Sequence, residues 1–343
     1  MRAAIQNGLS EIDVRDVPAP GRDGALVRVV AAGVCGSDLH VYLHRTEPQP
    51  LPEGHEVAGE VVSLPDAYAG PIRIGDLVAV DTICHGRACG ACGFCRAGQT
   101  FHCLERDKTA GWGGAFADLI QRHPAGLFRL PPGMSAEQGA LVEPLAVGVH
   151  AIRRARMAPG ATVVIVGAGT IGLMTLLAAR ALGADRVHVV ARHAHQAAAA
   201  RTFGAATAVQ AEGADAVAWI RDLTGGVGAD LVVEAVGRHA EPLELAWQLV
   251  RPQGSLAVLG IFPQPVMLNL MRPILREVSI TFPICYGVID GRHDFDVAIE
   301  IIASGRAGTQ GMVTHRFPLE QAAAAFQTAA DKSHGSLKVH IRP

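Results

Sequence analysis

The sequence has almost no net charge, few aromatic residues and no long apolar run. Its 343 residues include 30 Lys and Arg against 32 Asp and Glu, a formal net charge of −2 at pH 7. So neutral a chain has no overall field that would attract nucleic acid or an anionic membrane. It contains no run of about 20 apolar residues, which a membrane-spanning helix requires, and its first residues lack the apolar core of a secretory signal. We therefore expect a cytoplasmic protein without a nucleic-acid or membrane partner.

Length and apolar content predict two folded domains. At 343 residues, 49% of them hydrophobic, the chain exceeds the usual length of one domain. Short alternating strands between Gly-rich turns, such as Val57–Val62 and Leu77–Val80, occupy residues 1–145 and predict a β-rich domain. The β-branched run Ala161–Val166 is typical of a strand buried on both faces of a parallel sheet. Strands and helices alternate after it, so residues 146–286 are predicted to form a second, α/β domain.

A glycine-rich loop follows the strand Ala161–Val166 directly and precedes an apolar helix, Leu173–Leu182. A lone G-x-G-x-x-G match is weak, but a strand before it and a helix after it make it a dinucleotide-binding fingerprint. Its glycines allow a tight turn and close approach of the pyrophosphate, which lies at the helix N-terminus. The sequence therefore predicts a dinucleotide cofactor contacted by the loop residues Gly167, Gly169, Thr170, Ile171 and Gly172.

The next predicted strand ends at Arg192 and His193, about 20 residues after the glycines. An Asp or Glu at this place would bind the ribose 2′-hydroxyl of NAD, whereas an Arg can accept the 2′-phosphate of NADP. We therefore predict that NADP is the preferred cofactor. The alternative is that Arg192 is an ordinary loop cation and that NAD binds through other groups.

Seven cysteines are present, and four of them are tightly clustered. Cys89, Cys92, Cys95 and Cys103 have the spacing C-x2-C-x2-C-x7-C. In a reducing compartment this pattern favours metal binding over disulfides, and four thiolates on one loop suit a closed, tetrahedral zinc site. An iron–sulfur cluster is the alternative, although no Cys-Pro follows as it does in ferredoxin motifs. Cys84 lies just before the cluster and is interpreted as a bystander thiol.

A second set of metal donors is scattered through the first half of the chain. It comprises Cys35, the adjacent pair His55 and Glu56, and Glu143. Ser135 with Gln138 three residues later is typical of a capping box at a helix start, and we expect that helix to carry Glu143. A thiolate, an imidazole and a carboxylate suit zinc, and a catalytic zinc keeps one position open for water or substrate. The spacing alone leaves a plainer reading open: a buried cysteine, a core histidine and two surface carboxylates.

The chain resembles the zinc-dependent medium-chain alcohol and polyol dehydrogenases. The resemblance rests on the cysteine cluster, on the glycine loop and on three segments in the same order: Gly33–His40, Pro52–Gly59 and Leu141–Ala146. The similarity is greatest to the sorbitol and threonine dehydrogenase branch and covers nearly the whole chain.

The resemblance implies an α/β fold with two domains. A GroES-like, β-rich catalytic domain would comprise residues 1–145 and 287–343 and would carry a structural zinc lobe at about residues 84–103. A Rossmann domain with a doubly wound parallel sheet would comprise residues 146–286. Relatives pair subunits at the strand that corresponds to Ser279–Phe282, which implies a homodimer or a homotetramer.

The resemblance also assigns roles at the scattered donors. One catalytic zinc would lie on Cys35, His55 and a carboxylate, in addition to the structural zinc. Relatives differ in whether the position of Glu56 or that of Glu143 supplies this carboxylate, so both stay open here. Ethanol-type relatives have a cysteine at the later position, so Glu143 indicates the polyol or threonine branch.

The resemblance also implies a proton relay and a class of substrate. Ser37 and His40 would pass the alcohol proton to solvent, and Asp38 would orient His55, although Ser37 and Asp38 also suit a helix start. We expect hydride transfer between a secondary alcohol or its ketone and a nicotinamide cofactor. Tyr42, Phe116 and Tyr286 are candidates for the substrate pocket and equally for packing.

Two other functions remain possible at this point. The first is a non-catalytic NADP sensor on a dehydrogenase scaffold, which the complete set of metal donors disfavours. The second is a zinc-stabilised nucleic-acid-binding protein, which the neutral charge and the lack of a basic stripe disfavour.

Overall fold

A computed structural model describes residues 1–21, 23–109, 111–211 and 213–343, the side chain of Asp107 excepted. The chain forms two compact units. The first comprises Met1–Glu143, Gly287–Ala303 and Thr309–Pro343, and the second comprises Pro144–Tyr286 and Ser304–Gly308. The first unit is therefore discontinuous in sequence and is completed by the end of the chain.

The first unit consists mainly of strands. Before the second unit these are β1 (Arg2–Gly8), β2 (Glu11–Asp16), β3 (Ala25–Gly33), β4 (Glu56–Ser63), β5 (Leu77–Asp81), β6 (Leu119–Arg122) and β7 (Leu127–Arg129). The helices in this part are α1 (Gly36–His44), α2 (Gly93–Arg96) and α3 (Ala136–Ala140). The next helix, α4 (Val142–Arg154), begins in the first unit and belongs to the second unit from Pro144 onwards. Single 3-10 turns cover His85–Arg87, Thr100–His102, Arg106–Thr109 and Pro124–Gly126.

The second unit alternates strands and helices. Its strands are β8 (Thr162–Val166), β9 (Arg186–Ala191), β10 (Thr207–Gln210), β11 (Ala229–Glu234), β12 (Val250–Val258) and β13 (Ser279–Thr281). Its helices are α5 (Thr170–Ala181), α6 (Ala194–Thr202), α7 (Gly213–Leu223), α8 (Ala240–Leu249) and α9 (Met271–Leu275). The returning segment of the first unit adds β14 (Val288–Ile289), β15 (Arg292–His293), α10 (Asp294–Ala303), β16 (Val313–Pro318), α11 (Ala322–Ala330) and β17 (Lys338–Arg342), with 3-10 turns at Leu319–Gln321 and Lys332–His334.

The main sheet of the first unit joins its two sequence segments. Its strands lie in the order β16-β17-β3-β4-β5-β7, and β6 also pairs with β3. In this register Gly33 lies opposite both His340 of β17 and Glu56 of β4. Val27, Val57 and other buried side chains form the core against this sheet. The end of the chain thus lies beside the strand that follows the predicted zinc ligand His55.

The sheet of the second unit has six strands in the order β10-β9-β8-β11-β12-β13. Each neighbouring pair is parallel. Val163, Val164 and Ile165 of β8 are all fully buried, as expected for a strand covered on both faces. In this arrangement β8 is an inner strand, and the loops after β8, β9 and β11 lie together at the carboxyl ends of the parallel strands.

One predicted helix is divided in two. Ser135 and Gln138 form the expected capping box, in which each side chain bonds the other residue's backbone N–H. The helix that this box starts, α3, ends at Ala140, however. Glu143 lies instead in the first turn of α4. The prediction that the capped helix carries Glu143 is therefore wrong.

Within the described residues, no helix combines the length and apolar character that crossing a membrane requires.

Candidate metal centres and cofactor loop

The four clustered cysteines converge in the structure. One sulfur from each of Cys89, Cys92, Cys95 and Cys103 lies within 4.8 Å of the other three. The Sγ atoms of Cys92 and Cys95 are 3.4 Å apart, and those of Cys89 and Cys95 are 3.9 Å apart. Tetrahedral zinc with bonds of about 2.3 Å to sulfur places its ligands roughly 3.8 Å apart. The cluster therefore has the size of a closed zinc site.

Backbone groups and the neighbouring sulfurs control the protonation of this cluster. The backbone N–H of Cys89 donates to Sγ of Cys103 at 3.3 Å. Backbone N–H groups of Leu104 and Cys95 lower the pKa of Cys92 to about 6. Burial and the sulfur of Cys92 raise the pKa of Cys95 to about 12. N–H donors aimed at sulfur suit a cation held by thiolates.

A third group of donors, Asp81, His85 and His293, lies beside this lobe and was not anticipated from sequence. The carboxylate of Asp81 accepts the backbone N–H of Ile83, Cys84 and His85 at 2.6–3.0 Å. Nε2 of His293 lies 2.9 Å from Nδ1 of His85. The sequence offered no signal for this pairing, because the two histidines come from distant segments.

The tautomer of His293 argues against a metal at this third group. The backbone N–H of Phe295 donates to its Nδ1 at 3.1 Å, so the neutral ring carries its proton on Nε2. That proton points at Nδ1 of His85, which also lies 3.0 Å from the hydroxyl of Thr100 in the lobe. We interpret the group as a hydrogen-bonded clamp that connects the cysteine lobe to the returning segment.

Cys35, His55 and Glu56 are brought together although α1 and the loop after it separate Cys35 from the other two in sequence. One donor atom from each lies within 4.8 Å of the other two. Cys35 immediately precedes α1, and its backbone N–H donates to the carboxylate of Asp38 at 2.8 Å. This bond fixes the start of the helix and so the position of the sulfur. His55 and Glu56 lie at the start of β4.

Asp38 has a second contact besides its helix-start bond. Its Oδ1 lies 3.6 Å from Nδ1 of His55, and its side chain is 3% exposed. Burial raises the pKa of Asp38 to about 6. Burial lowers the pKa of His55, but the charges of Asp38 and Cys35 outweigh this and raise it well above its ordinary value. Asp38 therefore favours a proton on Nδ1 of His55, which leaves Nε2 as the donor for a metal.

The two carboxylates that could bind the catalytic metal, Glu56 and Glu143, differ in position and in pKa. Glu56 belongs to the converging group, whereas Glu143 is outside it. Burial raises the pKa of Glu56, but the Lys338 ammonium more than offsets this and the pKa lies below its ordinary value. Burial raises the pKa of Glu143 to about 8, although His55 opposes the shift. Without a cation, Glu56 is therefore the charged carboxylate and Glu143 the neutral one.

The donor set at Cys35 suits a metal ion. Oε2 of Glu56 is buried and has no hydrogen-bond partner, and such an atom is costly unless a cation or a donor satisfies it. A thiolate, an imidazole and one carboxylate oxygen are ligands that zinc accepts. Cys35, His55 and Glu56 would hold it.

The predicted relay residues lie on the exposed side of α1. Ser37 and His40 are both exposed, and they are three residues apart, so they share one face of the helix. The ring of His40 lies 4.7 Å from that of His44. The structure therefore places Ser37 two residues from Cys35 and His40 at the surface.

The glycine loop of the second unit has the geometry that a dinucleotide requires. Gly167 has φ +101°, and its backbone N–H bonds to the carbonyl of Val190. A Cβ at Gly172 would lie 1.9 Å from the carbonyl oxygen of Gly167, so only glycine allows this approach of helix to loop. Gly169 directly precedes α5, so the N-terminus of this helix faces the loop, where a pyrophosphate would bind.

Two other features lie at the same edge of the second sheet. Arg192 is exposed just after β9, and its carbonyl accepts from Gln210. The rings of His193 and His195 are stacked with centroids 5.6 Å apart. At the end of β11, Glu234 accepts the backbone N–H groups of Val236 and Gly237. Sequence reasoning missed Glu234. It fixes the loop after β11 at the carboxyl ends of the strands, where doubly wound sheets bind their ligands.

The three aromatic candidates for the substrate pocket are deeply buried. Tyr42 and Phe116 belong to the core of the first unit, where their rings lie 5.2 and 5.3 Å from that of Phe326. Tyr286 is 2% exposed. Packing therefore explains Tyr42 and Phe116.

Comparisons with known proteins agree with this arrangement. The family model of the alcohol dehydrogenase GroES-like domain matches residues 21–132, and that of the zinc-binding dehydrogenases matches residues 170–304. A sorbitol dehydrogenase of Bacillus subtilis is 33% identical over 352 residues and covers 100% of this chain and 97% of the relative.

Solved structures show the same fold over the whole chain. An alcohol dehydrogenase from a Thermus species has a TM-score of 0.85 at 29% identity, covering 100% of this chain and 99% of that one. A zinc-binding dehydrogenase of Sinorhizobium meliloti, solved with NADP bound, has a TM-score of 0.83 at 28% identity with the same coverage.

The chain belongs to the zinc-dependent medium-chain dehydrogenases. It is a zinc-dependent alcohol dehydrogenase whose substrates are small molecules. The predicted family and the predicted fold class, a GroES-like domain with a Rossmann domain, are confirmed.

Proposed function

We propose that this enzyme interconverts a secondary alcohol, of the polyol, amino-alcohol or cyclic class, and its ketone. The convergence of Cys35, His55 and Glu56 beside the start of α1 carries the proposal. Support comes from the similarity to a sorbitol dehydrogenase and from Glu143, which is a glutamate where ethanol-type relatives have a cysteine. Catalytic zinc, when bound, supplies a Lewis acid that lowers the pKa of the alcohol.

The protein groups around the metal hold and move protons. Cys35 and His55 hold the metal, and Glu56 supplies the third donor, because it belongs to the converging group. Asp38 keeps His55 in the tautomer that leaves Nε2 available. Ser37 accepts the substrate proton, and His40 carries it to solvent from the exposed face of α1. A second zinc on the four-cysteine lobe stabilises the fold and takes no part in the chemistry.

NADP is the proposed hydride carrier, and the side chain of Arg192 is proposed to bind its 2′-phosphate. Arg192 is exposed at the carboxyl end of β9, at the edge of the sheet where the glycine loop lies. His193 and His195 lie beside it. The similarity to a dehydrogenase solved with NADP supports the proposal. The nicotinamide ring supplies the redox chemistry.

Exchanging Arg192 for Asp tests the cofactor. We expect the ratio of kcat/KM for NADP to that for NAD to fall by about 100-fold, since one charge-assisted contact is lost and one repulsion is gained. Arg186→Asp, at the other end of the same strand, is the matched control and should leave the ratio unchanged. An unchanged ratio in Arg192→Asp would mean that Arg192 is an ordinary loop cation.

We also propose that the protein is a homodimer or homotetramer that pairs through β13. This strand is the edge of the six-stranded sheet. Apolar side chains beside it are exposed, among them Ile274, Leu275 and Phe282. An open strand edge next to apolar surface is a template for pairing with another chain. Leu275→Lys with Phe282→Lys should reduce the mass in sedimentation experiments to that of one chain or one dimer.

The deciding experiment is hydride transfer across a panel of secondary alcohols and ketones, each with NAD and NADP, on zinc-loaded protein. One clearly preferred pair would name the substrate class. No turnover with any member of the panel, together with metal at the cysteine lobe alone, would contradict the proposed catalytic site. A metal count per chain on the same sample measures the second of these.

A further inference from the structure

A buried lysine contacts the carboxylate of the mixed donor group. Lys338 lies on β17, and its side chain is 1% exposed. Its Nζ donates to Oε1 of Glu56 at 2.6 Å and to the carbonyl of Val34 at 2.9 Å. Val34 precedes the donor Cys35 in the chain. Lys338 therefore connects the two segments that supply Cys35 and Glu56.

The two oxygens of Glu56 have different surroundings. Oε1 is held by Lys338, whereas Oε2 is buried without a hydrogen-bond partner. The side chain extends over Gly33, where a Cβ would lie 2.0 Å from Oε2. The absence of a side chain at Gly33 is thus what lets the carboxylate lie between β4 and β17. Oε1 is hydrogen-bonded to Lys338, whereas Oε2 remains available to a metal ion.

The charges around Lys338 predict how its replacement would affect Glu56. Its Nζ and Oε1 of Glu56 form an ion pair that is buried on both sides. The ammonium therefore balances the carboxylate. Without it, Glu56 would be an unbalanced buried anion, which is strongly unfavourable unless another cation lies nearby. Cys35 and His55 would hold such a cation within reach of this carboxylate.

We propose that Lys338 is a positioning residue that controls how strongly Glu56 binds the catalytic metal. By holding Oε1 and balancing its charge, it weakens the bond from Glu56 and keeps a metal position accessible to substrate. This inference rests on the proposed function, because it needs a metal ion on Cys35 and His55.

The test uses Lys338→Met, which keeps the length of the side chain and removes its charge and donors. We expect the catalytic zinc to be released to a chelator about 10–100-fold more slowly and kcat to fall by a similar factor. Removing the partner of a metal ligand usually lowers metal affinity on this scale, but Lys338 competes with the metal for the carboxylate charge, so the expected change in affinity has the opposite sign. The cobalt-substituted enzyme should show a changed d–d spectrum, since the carboxylate of Glu56 would bind the metal more strongly. The matched control is Lys332→Met, a half-buried lysine of the preceding turn.

Three further variants make the outcome specific. Lys338→Arg should stay within about threefold of wild type, because it keeps the charge and the donors. Lys338→Met combined with Glu56→Gln should lose the slow release, since an amide does not replace a carboxylate as ligand. Lys338→Gln, which retains a donor but no charge, carries the same test if Lys338→Met fails to fold.

The results that overturn the inference differ from those that overturn the proposed function. Unchanged or faster zinc release in both the Met and Gln variants would refute the role of Lys338. Slow release that persists in the double variant would also refute it, because Glu56 would not be responsible. Wild-type protein that binds metal at the cysteine lobe alone would instead refute the proposed function.

Discussion

The two metal centres of the first unit are built in opposite ways. The four-cysteine cluster comes from one stretch of 15 residues, Cys89 to Cys103, and its ligands are partly exposed and of one kind. The mixed centre takes Cys35 and His55 from separate elements and includes a fully buried carboxylate beside a buried lysine. The first centre offers four thiolates, a closed ligand set for zinc, whereas the second offers three unlike donors and leaves a fourth position open. This difference suits a structural and a catalytic role.

Removing Cys35 should have the largest effect on activity. Cys35→Ala deletes the thiolate of the mixed centre, so we expect kcat/KM to fall at least ~1000-fold, the loss of several kcal/mol of transition-state stabilisation. Metal analysis should show the loss of one ion per chain while the lobe ion stays. Cys285→Ala, outside both centres, is the control. Retained turnover in Cys35→Ala would contradict the assignment.

Removing a lobe cysteine should reverse this pattern. Cys95→Ala is expected to lower Tm by roughly 10 °C, because a structural zinc contributes directly to folding free energy. The kcat per molecule that retains the catalytic metal should stay within about threefold. Calorimetry and active-site titration of the same sample measure both. A large drop in kcat with unchanged Tm would show that the two roles have been exchanged.

His340 allows a test of how burial around the mixed centre affects stability. Burial lowers its pKa to about 4, below the ordinary 6.5, and neither ring nitrogen has a partner. The unfolded chain therefore binds a proton that the folded protein excludes. Wild-type stability should fall as pH decreases from 6.5 to 4, by up to about 3 kcal/mol from this group.

His340→Leu should remove this contribution. The variant should gain about 2 kcal/mol relative to wild type at pH 5 and much less at pH 8. Urea unfolding at both pH values gives the difference, with the exposed His44→Leu as the control. An equal gain at both pH values would attribute the effect to packing alone.

The clamp beside the lobe should give the smallest effect. His293→Ala removes the bond to His85 and the acceptor for Phe295 N–H. We expect a loss of about 1–2 kcal/mol, the usual cost of a helix cap and one hydrogen bond. Hydrogen exchange of the backbone N–H of Val288, which bonds Gly98 of the lobe, should become faster. Unchanged exchange there would mean that the clamp does not hold the lobe.

Local patterns predicted much of this molecule. The strand Ala161–Val166 and the helix Leu173–Leu182 were predicted from runs of apolar residues and from the glycine loop, and the bounds of β8 and α5 differ from these by at most three residues. The capping box at Ser135 was also predicted, because its two partners are three residues apart. The helix carrying Glu143 was predicted wrongly, since nothing local indicates that the first helix ends at Ala140.

The sequence by itself determined the kinds of chemistry: thiolates at zinc spacing, a cysteine and a histidine–glutamate pair, and a phosphate-binding loop. Those depend on residue type and short spacing. The tertiary structure alone decided that Glu56 lies nearer the mixed centre than Glu143 and that Lys338 balances its charge. Both depend on the register that places Gly33 opposite Glu56 and His340. A contact between residues 282 positions apart arises from strand pairing, which no local pattern encodes.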